Sequence, residues 1–163
     1  MNNQPRYYKW EMLALLWIAF FLHQGDRQIF NAVLPLIKAD FQASDVQLGM
    51  VVTAFTLVYG VFVPLAGCLG DFVTKKWIVC LSLLTFSAGT LCTGFSTSVL
   101  MLLLFRSAVT GGGEAFYYPA ANSLIGLYHQ NTRAQAMAVH QSALYVGIVA
   151  SSWIAGWVGE AHG

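Results

Sequence analysis

Charge is what this chain has least of. Only 9% of its 163 residues are Asp, Glu, Lys or Arg, where a soluble domain carries about 25%. A folded surface so poor in charge exposes large apolar patches, and these associate in water. Lipid is the simpler solvent for it. The net charge is +1, so no field draws the chain toward nucleic acid. Cysteine is scarce and odd in number: Cys68, Cys80 and Cys92 each sit in an apolar run, without a CxxC pair or a metal-ligand spacing. They read as small buried residues, and neither a metal nor a cofactor is expected. Also missing are low-complexity tracts and any linker long enough to divide domains. No HExxH occurs, and Gly94–Phe95–Ser96 lacks the closing glycine of a nucleophile elbow, so an enzyme is not expected.

What is present is apolar length. The chain is 57% hydrophobic and 14% aromatic. Crossing a bilayer core takes about 20 mostly apolar residues of helix, and five segments qualify: Met12–Leu36, Gln47–Leu69, Trp77–Phe95, Val99–Leu127 and Ala134–Val158. A barrel is excluded, because its strands alternate polar and apolar at every second residue. The first apolar run is no cleavable leader, since it continues through Asp26 and Arg27 without a small-residue cleavage site. Short polar links join the spans. Arg6, Lys9, Lys75, Lys76 and Arg133 fall on one side and only Lys38 on the other, which places the N-terminus in the cytoplasm. Tyr7, Tyr8, Trp10 and Trp77 lie where interfacial aromatics belong.

Four charges interrupt the spans: Asp26, Arg27, Arg106 and Glu114. Each costs about 2.5–3.5 kcal/mol at a helix centre on insertion scales, so such groups face a water-filled cavity or pair with one another. A structural ion pair is the competing reading. Asp26 lies roughly 20 Å in from the start of its span at about 1.5 Å per residue, too deep for simple snorkelling. His23, Arg27 and Asn31 recur at four-residue steps and share a helix face. Glu114, Tyr117, Tyr118 and Asn122 form a second polar-aromatic stripe. An arginine offers a permanent forked donor suited to carboxylate. A desolvated carboxyl group favours its neutral form and can exchange protons. One arginine with one or two titratable acids is what a proton-coupled anion carrier requires. Gly111–Gly112–Gly113, just before Glu114, reads as a close-packing stretch or a bend, with Pro119 a second bend point.

The segment from Gly67 to Lys76 resembles the loop motif between helices two and three of the major facilitator superfamily. Gly67, Leu69, Gly70, Asp71, Lys75 and Lys76 match it, whereas Phe72 and Thr74 depart. Three further segments resemble the anion:cation symporter branch. They are Asp26–Arg27 with Asn31–Ala32–Val33–Leu34–Pro35, Gly111–Gly112–Gly113–Glu114–Ala115 with Pro119, and Arg133–Ala134 leading into Gly147. The resemblance implies an all-α polytopic membrane protein. Residues 1–163 would be five helices of an N-terminal half, without the sixth helix or the C-terminal half. It implies Arg27 as a substrate contact, with Asp26 and Glu114 coupling protons. His23, Asn31, Arg106, Tyr117, Tyr118 and Asn122 complete the expected binding set. In the family the helix-four arginine usually precedes the glutamate by seven residues. Here the gap is eight and Ser107 holds the matching place. The expected partners are a small organic anion such as a sugar acid, protons, lipid and the missing half, in a multi-pass protein of the cell membrane. Two alternatives stand beside this: a non-transporting module pairing with another chain, and a lipid or sugar carrier of the same superfamily. Spinster-like lipid carriers share part of the helix-four pattern. The drug-antiporter signature of helix five is absent, as Gly147 to Gly156 holds no proline.

Overall fold

The computed structural model describes residues 7–162, with side chains to Val158. Arg6 and Gly163 lie outside the described residues. Five long helices follow one another: α1 (Tyr8–Phe41), α2 (Asp45–Phe72), α3 (Lys75–Gly94), α4 (Val99–Tyr128) and α5 (Arg133–His162). They overrun the apolar spans at most ends, because polar residues there continue the helix. The links shrink to residues 42–44, 73–74, 95–98 and 129–132. Gln42, in the left-handed region with φ of 48°, ends α1. Ser44 then opens α2 with a capping box: its hydroxyl accepts from the Gln47 backbone N–H, and the Gln47 side chain accepts from the Ser44 N–H. The Ser98 hydroxyl caps α4 by accepting from the Met101 N–H.

By length and composition α2, α3 and α4 are apolar enough to cross a membrane. Polar residues break the apolar run in α1 (Asp26, Arg27) and α5 (His140, Gln141, Ser142). Large apolar side chains point outward along the helices, among them Leu15, Leu57, Leu84 and Val149. Trp77, at the start of α3, and Trp153 and Trp157, late in α5, are also exposed. Lipid is the medium that suits such a surface. The cysteines depart from expectation. Cys68 and Cys80 are exposed and Cys92 is half-buried, because they fall on outward faces that need no polar residue.

The described residues form two compact units. The first takes those up to Ala32 and those from Asn122 onward. In it α1 and α5 approach closely: a Cβ on Gly147 would stand 3.0 Å from the Phe21 carbonyl oxygen, and one on Gly25 2.7 Å from Ser151 Oγ. The Trp17 indole N–H donates to Ser142 Oγ at 2.9 Å. His129 is fully buried, bonded through Nε2 to the Lys9 carbonyl (3.0 Å) and through Nδ1 to the Thr132 hydroxyl (2.9 Å). Trp10 packs edge-on against its ring. His129 therefore ties the start of α1 to the turn before α5, although its sequence position suggests only an unremarkable loop residue.

The second unit is Val33–Ala121. Here α4 lies against α2 and α3 with glycine at each crossing. A Cβ on Gly113 would stand 2.8 Å from the Phe86 nitrogen, and one on Gly89 2.5 Å from Thr110 Oγ1. The Ser82 hydroxyl donates to the Gly113 carbonyl at 2.7 Å. Small residues let helices approach this closely where lipid removes the hydrophobic drive between them. Gly113→Leu should overpack this crossing at a cost of about 1–3 kcal/mol. The protein should melt several degrees lower in detergent, whereas Gly60→Ala, with open space around it, should leave the melt unchanged. Equal melts would show that the crossing is not a close contact.

Candidate functional site

The candidate residues divide between the two units. His23, Asp26, Arg27 and Asn31 on α1, with Asn122 on α4, belong to the first; Arg106, Glu114, Tyr117 and Tyr118 on α4 belong to the second.

In the first unit α1 is two-faced. Leu15, Ile18, Leu22 and Ile29 are all exposed and fall on one stripe. His23, Arg27 and Asn31 lie roughly 150° around the helix from it, at about 100° per residue. His23 is buried, Asp26 and Arg27 are half-buried and Asn31 is exposed. The buried His140 ring of α5 stacks on Phe20, with centroids 4.8 Å apart.

In the second unit α4 departs from α-helical form. Leu103–Thr110 is a π-helix, flanked by α-helix on both sides. The Gly111 N–H reaches back to the Ala108 and Arg106 carbonyls, three and five residues earlier, and the Thr110 hydroxyl donates to the Phe105 carbonyl at 2.9 Å. Short π stretches inside α-helices recur at functional sites. Arg106, Ser107 and Thr110 of this stretch are buried, and Glu114 one turn later is 3% exposed. The Ser107 hydroxyl donates to the Val51 carbonyl of α2 at 2.8 Å. The Arg106 guanidinium lies over the Phe55 ring, 5.2 Å from its centroid, a cation–π contact. Tyr59 stacks beside Phe55 with ring planes 10° apart. Tyr117 is 1% exposed, and Tyr118 is half-buried.

Phe55 and Tyr59 escape sequence reading, because an aromatic in an apolar run carries no polar signal. The π stretch left one trace, the eight-residue spacing from Arg106 to Glu114. The loop motif is compact: α2 ends at Phe72, and the Lys75 ammonium donates to the Gly70 carbonyl at 3.0 Å. Gly67, Leu69, Asp71 and Lys76 are exposed around it. A cavity of about 510 Å³ opens between α2, α3 and α4, walled by Phe62, Leu69, Trp77, Leu81, Val109 and Phe116 among others. None of the charged candidates lines it. Its nearly all-apolar wall makes it unsuited to an anion, so the site reading rests on the buried polar residues and not on this space.

Apolar helices with ionisable residues sheltered inside them are the make-up of a polytopic membrane protein. The family model for the Major Facilitator Superfamily matches residues 16–163. The chain belongs to that superfamily. It is 30% identical over 157 residues to human "Protein spinster homolog 1", covering 93% of this chain and 30% of that protein. It is 29% identical over 148 residues to the "Lincomycin resistance protein" of Streptomyces lincolnensis, covering 91% and 31%. It is 34% identical over 111 residues to the "Probable sulfoacetate transporter" of Cupriavidus necator, covering 68% and 25%. The crystal structure of a bacterial homologue of the human lysosomal transporter spinster, inward-facing and unoccupied, superposes with a TM-score of 0.87 at 29% identity. That match covers 96% of this chain and 33% of the solved one. The chain thus spans about a third or less of the relatives it matches.

If the polar face of α1 borders water, single cysteines will report it. With Cys68, Cys80 and Cys92 replaced by serine, Asn31→Cys should react with a water-soluble maleimide. Leu15→Cys, on the apolar stripe, should resist it. Equal reaction at both positions would remove the distinction between the two faces.

Proposed function

We infer that the complete carrier is a proton-coupled symporter of a small organic anion such as a sugar acid, of which this chain is an N-terminal portion with a cytoplasmic N-terminus. The observation that carries the reading is the set of ionisable groups inside apolar helices. Arg106 and Glu114 are buried in protein, and Arg27 lies on the face of α1 turned from its apolar stripe. Such groups are costly in a membrane unless they serve a solute or proton path. In this reading Arg27 grips the carboxylate through its forked donors, with His23, Asn31, Arg106, Tyr117, Tyr118 and Asn122 as further contacts. Asp26 and Glu114 exchange the coupled proton. The loop of Gly67, Leu69, Gly70, Asp71, Lys75 and Lys76 serves gating at the cytoplasmic face of the cell membrane. The relative named as a sulfoacetate transporter, an organic-anion cargo, supports this class of substrate.

A second reading keeps the superfamily and changes the cargo to a lipid or sugar. The likeness to spinster proteins favours it. A third, a non-transporting module that pairs with another chain, has no observation of its own.

Purified complete carrier in proteoliposomes separates the readings. Labelled sugar acid should enter when an inward proton gradient is imposed. Arg27→Ala should abolish binding. Glu114→Gln should stop gradient-driven accumulation while leaving exchange of labelled for unlabelled substrate. Normal proton-driven uptake by both variants would sink the assignment, and uptake of a lipid or a neutral sugar in place of the acid would establish the second reading.

A further inference from the structure

Arg106 stands eight residues before Glu114. In an unbroken α-helix eight residues overshoot two turns by roughly 80°, so the two side chains would point apart. Ser107, seven residues before Glu114, would take Arg106's place on the glutamate's side. The π stretch reverses this. A turn whose hydrogen bond closes on the fifth preceding residue holds about one residue more than one closing on the fourth. Leu103–Thr110 is such a stretch, and at its end the Gly111 N–H reaches both the Arg106 and the Ala108 carbonyls. One π turn followed by one α turn therefore carries eight residues through the rotation that seven make in α-helix.

We propose that the π turn of α4 is a register device that returns Arg106 to the side of the helix carrying Glu114, with Phe55 of α2 as the positioning surface for its guanidinium. Three contacts support it. Ser107 is turned to α2 and holds the Val51 carbonyl, so the position that matches by count is occupied by packing. Arg106 is buried with its guanidinium over Phe55. Gly111 leaves room for that ring: a Cβ there would stand 3.1 Å from Phe55 Cδ2. The arrangement puts a permanent cation and an acid on one side of α4, about two turns apart. The charge state of Glu114 then bears on how strongly Arg106 holds an anion. This deepens the anion-symport reading and rests on it for its functional part.

The test exchanges the two residues in the complete carrier, R106S/S107R, leaving composition unchanged. The exchange should raise KM for the labelled sugar acid by about tenfold or more, the scale of a lost charge-assisted hydrogen bond, with kcat little changed. Phe55→Leu should raise KM by several fold, and Phe55→Tyr, which keeps the ring, should restore it. Deleting Ala108 removes the extra residue and should leave KM within about threefold of the parent. An unchanged KM for the exchange, or equal effects of Phe55→Leu and Phe55→Tyr, would overturn the proposal. So would a tenfold rise for the Ala108 deletion in protein that melts normally. Melting also decides the register without substrate. The exchange should melt below Ser107→Ala, because it forces an arginine into the tight contact that Ser107 makes with the Val51 carbonyl, and an equal melt would overturn the register device. If the parent takes up no organic anion, the transport reading falls while the melt still decides the register.

Discussion

Close approach of α4 to its neighbours is the contact on which the second unit depends. Gly89, Gly111 and Gly113 stand where any side chain would strike Thr110, Phe55 or Phe86. In water such packing adds to a hydrophobic drive. In lipid that drive between helices is gone, and contact at short range with hydrogen bonds takes over. The Ser82 and Ser107 hydroxyls donate to backbone carbonyls across these crossings. The consequence reaches the polar residues. Because α4 is seated so deeply, Arg106, Ser107, Thr110 and Glu114 are buried in protein, where groups of this kind would be costly against hydrocarbon. The triple glycine is thus explained as a packing feature.

Much of this was legible in the residue order, for a physical reason. A bilayer demands long apolar runs, and nothing else in a chain of this composition produces them. The runs around Leu16, Val51, Leu83, Leu103 and Val146 each became a helix. Helix ends were less visible, since Lys38, Asp40 and Asp71 are polar yet continue helical structure. The aromatic surface under Arg106 was invisible because Phe55 looks like any other apolar residue of α2. His129 carries no such signal either: its sequence position says loop, and only the fold brings the Lys9 carbonyl and Thr132 to its ring. The cysteines were misjudged because apolar surroundings in a membrane chain point outward as well as inward.

The eight-residue step from Arg106 to Glu114 shows how spacing can mislead and inform at once. Counted on an ideal helix, it sets the arginine aside. Counted on the backbone this chain adopts, with a π stretch at Leu103–Thr110, it keeps the arginine in place. A spacing that departs by one residue from a relative's pattern is therefore a reason to look for a π turn between the two positions. The likeness to the spinster homologue, at a TM-score of 0.87, establishes the helical frame. It leaves the cargo to the side chains.

The central claim is that an organic anion and a proton move together through the carrier. Proteoliposomes containing the complete carrier and a trapped pH dye test it most directly. With membrane potential clamped, an inward gradient of sugar acid alone should acidify the lumen in protein-containing vesicles and leave empty vesicles unchanged. Uptake of the labelled acid with no change in luminal pH would contradict the account.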